Sequence, residues 1–320
     1  MHVSRTRNAW GLWHALSVAG VLTFASLAHA QSSSGIGTHG ALSGDTLFSS
    51  DSDRFQEERT NLGYLFSNGW GLGASFSYFD APDWSGAYGR GLYGQYHLID
   101  SKQTLDARLG VSDTDGHTTA IGSLDYMRHV TKDTSLGVSA ERDVVDSIAG
   151  LEQGLTYNSL MLVLDHQFTP RFSVGAVAGA MWFSDSNTRP MLRTRWSYDL
   201  LPNYGLSAYI KTRTYYDSNP DQGNYYSPQW LNEYSGGLSW RTAFASKVVF
   251  FVSADAGHQN TDGGGTNIWG ARIGLQNYRN QKVQWQVAVE TTNDHASGFS
   301  GGNNGYRYTS VSGRLMFPFN

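Results

Sequence analysis

The feature that most restricts the fold of this chain is a period of two in hydrophobicity, which recurs in short segments. In the last segment, Val311, Leu315 and Phe317 share one parity, and Ser310 and Arg314 share the other. Because successive side chains of a strand point to opposite faces, this pattern predicts a β-strand with one apolar face. An edge strand in a soluble sandwich alternates in the same way, so the rest of the chain decides between the two folds.

Similar segments fill the chain after its first thirty residues, and no apolar run of about 18 residues interrupts them, which excludes membrane helices. Charged residues make up 16%, below the roughly 25% of soluble domains. We predict strands near residues 37–49, 56–66, 70–79, 87–97, 103–112, 118–130, 135–141, 156–168, 172–183, 191–200, 206–215, 229–243, 248–258, 266–276, 282–292 and 306–320.

Short and long connections alternate between these segments. The tight turns 67–69, 169–171 and 245–247 contrast with the long loops 143–155, 216–228 and 293–305. Bacterial outer-membrane barrels have short periplasmic turns and longer extracellular loops. A closed sheet also pairs every backbone group in lipid. We therefore predict an all-β fold, a transmembrane antiparallel β-barrel of about 16 strands, with the last strand beside the first. Since Pro318 has no N–H, we expect that pairing to end by Phe317.

The first thirty residues have the three zones of a secretory signal peptide. Arg5 and Arg7 precede an apolar core, and Ala28-His29-Ala30 is a small-x-small cleavage site. The core is too short for a spanning helix, which argues against an N-terminal anchor. We predict a signal peptide at residues 1–30, cleavage near Ala30, an outer-membrane β-barrel at residues 31–320 and localisation in the bacterial outer membrane.

Composition excludes several function classes. The chain has no Cys, so it has no disulfide framework, zinc-thiolate site or cysteine nucleophile. A net charge of -4 and a pI near 6.2 do not suit a nucleic-acid binder. The segment 261–265 has one carboxylate and lacks the ligand ladder of a calcium loop. We expect no metal, cofactor or nucleic acid; the expected partners are outer-membrane lipid and the barrel assembly machinery.

An enzymatic alternative is an outer-membrane lipid hydrolase, which needs a nucleophilic Ser, a His and an orienting group. His166 has Asn158, Ser159 and Asp165 near it in sequence, but Ser159 does not lie in a Gly-x-Ser-x-Gly elbow. We therefore expect no enzyme activity and assign no catalytic residue.

A barrel of this size encloses an aqueous lumen, and its inward parity is polar. Arg193 and Arg195, with Lys211 and Arg213 on the next strand, form a basic patch. This patch either guides a hydrated or anionic solute or belongs to a network of wall charges neutralised by nearby carboxylates. The pore-lining candidates are Arg193, Arg195, Tyr209, Lys211, Arg213, Glu233, Arg241, Arg272 and Glu290.

The segment Asn224-Tyr225-Tyr226-Ser227-Pro228-Gln229-Trp230 follows a long loop and precedes a strand. It resembles a segment in the C-terminal barrel of the outer-membrane component of cellulose synthase, and the related poly-N-acetylglucosamine export porin likewise has a barrel of 16 strands. The resemblance implies an exopolysaccharide export porin with an extracellular mouth formed by Tyr225, Tyr226, Ser227, Pro228 and Gln229. Those proteins carry a periplasmic helical-repeat region that this sequence lacks before its barrel. A separate periplasmic scaffold would therefore deliver the polysaccharide chain.

Together these observations predict an outer-membrane pore, with export of a cellulose- or poly-N-acetylglucosamine-like exopolysaccharide as the leading function. A general or solute-specific porin is the alternative within transport. A lipid hydrolase, or a structural or adhesive barrel, is the alternative from another class.

Overall fold

A computed structural model of the protein describes residues 36–245, 248–277, 282–294 and 306–320. Its strands form one closed antiparallel barrel of 16 strands, which confirms the predicted fold class. The strands are β1 (Ala41–Asp51), β2 (Gln56–Leu65), β3 (Trp70–Asp80), β4 (Ala87–Ile99), β5 (Gln103–Thr114), β6 (His117–His129), β7 (Thr134–Val144), β8 (Thr156–Thr169), β9 (Phe172–Phe183), β10 (Thr188–Leu201), β11 (Leu206–Tyr216), β12 (Trp230–Ala245), β13 (Val248–Thr261), β14 (Gly264–Asn277), β15 (Gln284–Thr292) and β16 (Tyr308–Pro318). A short helix, α1 (Ile148–Glu152), lies between β7 and β8.

The barrel closes where β16 pairs with β1, in register from Ala41 opposite Pro318 to Asp51 opposite Tyr308. The prediction that pairing ends by Phe317 is wrong. The Phe319 N–H donates to the Gly40 carbonyl at 2.8 Å, and the Phe319 carbonyl accepts from the His39 N–H at 3.0 Å. Pro318 lacks a backbone N–H donor, but this affects only one position of the β1–β16 ladder. The backbone pairing therefore continues past it to Phe319.

The two ends of the barrel differ in their connections. Connections at the end that holds residues 41 and 318 are short, whereas the opposite end holds the long connections 145–155, 217–229 and 293–307. The alternation is less regular than expected, because residues 113–117 and 260–265 are mostly strand. Asp115 (φ 52°) and Gly116 (φ 79°) join β5 to β6 as a two-residue turn. Positive φ at both central residues is typical of a type I′ hairpin, which suits twisted strands.

Some sequence predictions lie outside the described residues. These include the signal peptide at residues 1–30, its cleavage site, residues 246 and 247 of one tight turn, and residues 295–305 of the last long loop. No helix in the described ranges is long and apolar enough to cross a membrane.

The predicted alternation separates the two faces of the sheet. Large apolar side chains of one parity are exposed on the outer surface, among them Leu72, Leu109 and Leu162, which are 65%, 74% and 64% exposed. Trp70, Trp182 and Trp240 are also exposed on this surface. Such a surface suits lipid, with aromatic side chains near the strand ends at the interfaces.

Candidate functional site

Hydrogen bonds between strands that are not neighbours identify the inward-facing parity. Arg59 on β2 donates from Nη1 to Asp143 Oδ2 on β7 at 2.8 Å. Arg108 on β5 donates from Nη2 to Asp45 Oδ1 on β1 at 2.5 Å. Since β2 and β7 are separated by four strands, and β1 and β5 by three, these contacts run through the barrel interior. The inner wall is thus polar and charged on this side.

Seven of the nine candidate residues lie on the inner face of β10, β11 and β12, and six of them, all except Arg241, form one group. Lys211 Nζ lies 2.9 Å from Asp255 Oδ1, and the Tyr209 hydroxyl donates to Asp255 Oδ2 at 2.8 Å. The Arg195 guanidinium lies 3.7 Å from the centre of the Tyr209 ring. Asp255, a β13 residue that the candidate set lacks, therefore binds Lys211 and Tyr209 directly, and Tyr209 in turn contacts Arg195.

Further along the same wall, Arg213 donates from Nη2 to Glu233 and also to Asp294, which follows β15. Gln259 Nε2 donates to the second oxygen of Asp294 at 3.0 Å. Arg193 is 4% exposed and lies directly opposite Arg213 in the β10–β11 ladder. Glu233 and Asp294 neutralise Arg213, whereas Arg193 makes no ion pair among the residues that the structure describes.

The remaining candidates, Arg241, Arg272 and Glu290, occupy β12, β14 and β15. The Arg241 and Arg272 guanidinium carbons lie 6.0 Å and 5.5 Å from the centre of the Phe251 ring. Glu290 lies opposite Arg272 in the ladder, but no ion pair within 4 Å joins the two in the described structure. All nine candidates are therefore on the inward parity, where the sequence placed them.

Charge is distributed unequally around the inner wall. Strands β1 to β8 carry the inward carboxylates of Asp45, Glu57, Asp106, Asp125, Glu141, Asp143 and Asp165, against the guanidinium groups of Arg59 and Arg108. On β10 to β15 the inward cations outnumber the inward carboxylates: the cations are Arg189, Arg193, Arg195, Lys211, Arg213, Arg241 and Arg272, and the carboxylates are Asp199, Glu233, Asp255 and Glu290. In a ring of sixteen strands β10 lies opposite β2 and β14 opposite β6, so the acidic and basic walls face each other.

The Tyr-Tyr-Ser-Pro-Gln segment folds into the mouth at the end of the barrel opposite residues 41 and 318. The Tyr225 ring stacks on Phe183 with centroids 4.5 Å apart. Its hydroxyl accepts from Asn187 Nδ2 and donates to Asp185 Oδ1, both at 3.1 Å. Ser227 and Pro228 are buried, Tyr226 is half-buried and Gln229 is exposed. Protein groups thus cover much of Tyr225, which is 7% exposed.

Two connections, residues 145–155 and 217–229, meet over this mouth, and we name them together the lid. The Ser147 hydroxyl donates to the Asn224 carbonyl at 2.5 Å, and Gln153 Nε2 donates to Asn224 Oδ1 at 3.0 Å. Ser147 also caps α1, since its Oγ accepts from the Gly150 N–H at 3.1 Å. Val145 of the first connection is fully buried. The two lid segments therefore hold each other over the barrel interior.

Two arginines fix the lid to the wall. Arg189 of β10 donates from Nε to Asp217 Oδ1 and from Nη2 to the Tyr226 carbonyl, each at 2.8 Å. Arg59 Nη2 lies 3.7 Å from Asp146 Oδ2. Burial, reinforced by nearby Glu57, raises the pKa of Asp146 to about 8 although Arg59 opposes the shift. Removing one partner of a buried ion pair such as Arg189–Asp217 costs about 3–5 kcal/mol, so this contact holds the lid strongly.

Sequence reasoning missed an apolar patch on the inner wall. Met127, Met161, Met181 and Met191 are buried on inward positions with Val163 and Val177, and Val145 and Tyr225 of the lid join the same cluster. Gly179 leaves room for this packing, because a Cβ there would lie 2.8 Å from Met161 Sδ. The run Leu160-Met161-Leu162-Val163-Leu164 was the available signal, since it is apolar on both parities. The lid packs against this patch through Val145 and Tyr225.

The residues weighed for a hydrolase do not assemble. His166 pairs with Thr134 through Nδ1 at 2.9 Å and packs edge-on against Phe168 on the outer surface. Ser159 and Asp165 lie on the opposite, inward parity of β8. Among the described residues no group of three or more His, Asp or Glu side chains is placed to hold a metal ion.

Comparison with known proteins gives structural likenesses only. No protein-family model matches the chain, and no curated protein matches it significantly. A solved structure described as a bacterial polysaccharide outer membrane secretin is similar over 89% of this chain and 100% of its own, with 15% identity and a TM-score of 0.68. This likeness establishes the fold as that of an outer-membrane β-barrel.

Two further structures are similar at lower scores. CdiB from Acinetobacter baumannii shares 13% identity over 87% of this chain and 60% of its own, with a TM-score of 0.49. Pseudomonas aeruginosa OccK5 (OpdH) shares 10% identity over 89% and 100%, with a TM-score of 0.44.

Proposed function

We propose that the protein is an outer-membrane pore that exports an exopolysaccharide, cellulose-like or poly-N-acetylglucosamine-like in its backbone. The observation that carries the proposal is the closed 16-strand barrel with an apolar outer parity and a charged inner parity. A barrel of this size can enclose water, and a polar inner wall can replace the water around sugar hydroxyls. The similar structure of matching extent is described as a polysaccharide secretin, which favours this cargo over others.

In this proposal the polymer enters at the end with residues 41 and 318 and leaves under the lid. The lid contacts of Arg59 and Arg189 must break or slide for a chain to pass, because Asp146 and Asp217 lie within the mouth. The Tyr225 segment then frames the exit after moving off Phe183. A separate periplasmic scaffold delivers the chain, signal-peptide cleavage near Ala30 precedes export, and the barrel assembly machinery inserts the protein into lipid.

The second candidate is a general or solute-specific porin. The lid favours it, because buried contacts such as Arg189 with Asp217 narrow the mouth. Small solutes need a narrower opening than a polymer does. The open channel of an exporter must admit a polysaccharide chain, whereas the open channel of a porin need admit only small solutes.

Deletion of the gene with measurement of secreted polysaccharide tests export directly. We expect secretion to fall in the deletion strain and to return with the wild-type gene. Unchanged secretion contradicts export. Single-channel recording of the purified protein in planar bilayers tests the pore itself: we expect discrete conductance steps, and a barrel that never conducts contradicts both transport candidates. Conductance that persists with unchanged secretion favours the porin.

A further inference from the structure

Part of the basic wall lacks counter-ions within the described structure. Asp255 pairs with Lys211, and Glu233 and Asp294 pair with Arg213. Arg193, Arg195 and Arg272 make no ion pair or hydrogen bond there; Arg195 and Arg272 contact only the rings of Tyr209 and Phe251 as cation–π partners. Arginine keeps its proton in proteins. These three positive charges therefore have no carboxylate within 4 Å among the described residues, although Glu290 faces Arg272 across the ladder.

Burial makes two of these charges unfavourable by themselves. Arg193 is 4% exposed and Arg272 is 7% exposed, and the Nε of each has no hydrogen-bond partner. A buried charge is stable when it is paired and hydrogen-bonded. The Nε–H group of each guanidinium therefore lacks a bonded acceptor, although Glu233 and Asp294 lie near Arg193 and Glu290 lies near Arg272.

The ladder also places like charges directly opposite each other. Arg193 faces Arg213, and Arg195 faces Lys211, on the adjacent strands β10 and β11. Like charges directly opposite on a sheet are destabilising. The carboxylates bonded to Lys211 and Arg213 offset part of that repulsion. A further negative group beside Arg193 and Arg195 would offset more of it, and a planar guanidinium binds a carboxylate in a bidentate way.

Unused hydrogen-bond donors lie on the same wall. The buried hydroxyls of Tyr215, Ser235 and Ser239, on β11 and β12, have no hydrogen-bond partner in the described structure. Each can donate to an acceptor. A ligand that combines negative charge with many oxygen acceptors matches both the arginines and these hydroxyls, and sugar acids have both features.

We propose that the wall formed by Arg193, Arg195 and Arg272 binds the carboxylates of acidic sugar units, so that the cargo is a polysaccharide containing uronic acids. The Arg195 guanidinium stacks on the Tyr209 ring, with its central carbon 3.7 Å from the ring centre. This contact fixes the orientation of the guanidinium toward a carboxylate. The acidic wall on the opposite side repels the chain toward the arginines. This inference rests on the proposed function and names the chemical class of its substrate.

Binding to the purified full-length barrel in detergent, measured by isothermal titration calorimetry, tests the site independently of conductance. The probe is a cellouronic acid hexamer, and cellohexaose is its uncharged counterpart with the same backbone. We expect the hexamer to bind at least tenfold more tightly than cellohexaose. Equal binding, or no binding of the acidic hexamer, overturns the inference.

Variants locate the site. Because Arg193 is deeply buried, the test uses Arg195→Gln and Arg272→Gln, with Arg90→Gln as control, since Arg90 is exposed on the outward parity of β4. Loss of a charged hydrogen bond weakens binding roughly tenfold or more. We expect this loss in the two lumen variants and wild-type affinity in the control. Equal loss in all three overturns the assignment.

Inorganic phosphate separates a sugar acid from a free anion. Phosphate and the hexamer are compared at the same total concentration of negative charge. If phosphate binds as tightly as the hexamer under these conditions, the wall is a simple anion site and the polysaccharide assignment is wrong. Absence of conductance in bilayers contradicts the pore, whereas failure of hexamer binding in a conducting protein contradicts only the uronic-acid inference.

Discussion

At the scale of single residues, the carboxyl of Asp146 meets different surroundings when the lid is open and when it is closed. In an open lid it meets water and has a pKa of about 3.9. In the closed lid, burial with Glu57 and Asp143 nearby raises the pKa to about 8 against the attraction of Arg59. Proton binding therefore favours the closed lid; this preference is complete below about pH 4 and is lost as the pH rises through 8. We expect open probability in bilayers to rise over that range.

Asp146→Asn removes this titration, so its lid stays closed at pH 8 and its open probability varies little with pH. The matched control is Asp221→Asn, an exposed lid residue with φ 56° that Asn tolerates. A pH profile that is unchanged in Asp146→Asn, or lost in the control, disproves the role of Asp146.

For individual side chains, parity was predictable from the sequence and pairing was not. Alternation placed Arg213 and Glu233 inward, because every second side chain of a strand faces the same side. Their companion Asp294 lies 81 positions from Arg213, and Arg59 reaches Asp143 over a separation of 84. Sequence spacing carries no information about contacts that form only when the sheet closes.

At the scale of elements, strand number and order followed from alternation and turn residues, and most boundaries fell within a few positions. The exceptions are polar stretches such as 113–117, which the sequence marked as a loop although they extend two strands. Polar side chains near the barrel rim face water whether or not the backbone of their segment pairs with a neighbouring strand. Composition therefore cannot separate a rim strand from a loop, whereas backbone pairing does.

The lid is an element that can be locked. Since the chain has no Cys, Gln153→Cys with Asn224→Cys introduces one specific thiol pair at a position where the native side chains are hydrogen-bonded at 3.0 Å. A short bifunctional thiol reagent that joins them holds the two segments together. We expect single-channel conductance to fall severalfold on cross-linking and to recover when a cleavable reagent is reduced. The single-cysteine variants, treated identically, keep wild-type conductance; equal conductance of the cross-linked pair shows that the lid does not limit the channel.

The seam is the second element with a direct test. Phe317 pairs with Leu42, and Phe319 is hydrogen-bonded to Gly40 and His39. Deleting residues 317–320 removes this end of the seam and leaves backbone groups of β1 unpaired, which is costly in lipid. We expect the shortened protein to remain unassembled in the periplasm, as shown by loss of heat-modifiable migration. An assembled, heat-modifiable barrel after the deletion would show that these residues are dispensable for closure.

At the scale of the whole molecule, the membrane requirement explains why the barrel was predictable. Strands can cross lipid only as a closed sheet that pairs every backbone group, and such a sheet has one apolar face toward lipid and one polar face toward the lumen, which produces the alternation. No sequence pattern of this kind predicts the lid or the methionine patch, because the barrel can close whichever side chains face its interior. The packing of the Tyr225 segment on Phe183 likewise depends on neighbours far away in the chain.

The outer surface should tolerate charge according to depth. Leu162 lies near the middle of β8 and is 64% exposed, whereas Tyr216 ends β11 and is 46% exposed. An arginine at the centre of the bilayer costs about 2–4 kcal/mol, and one near the interface about 0–1 kcal/mol. We expect Leu162→Arg to lower the free energy of unfolding in lipid by the larger amount and Tyr216→Arg by the smaller, as measured by urea titration. Equal losses would place the bilayer elsewhere on the barrel.

The two lid segments arise from hairpins four strands apart, β7–β8 and β11–β12, and each has its own anchoring arginine. Displacing one segment leaves the other on its own anchor, so full opening requires two separate events. A single-step gate has one exponential distribution of closed times. This mouth is instead expected to show at least two closed-time components and a sub-conductance level, the kinetic record of a half-open lid.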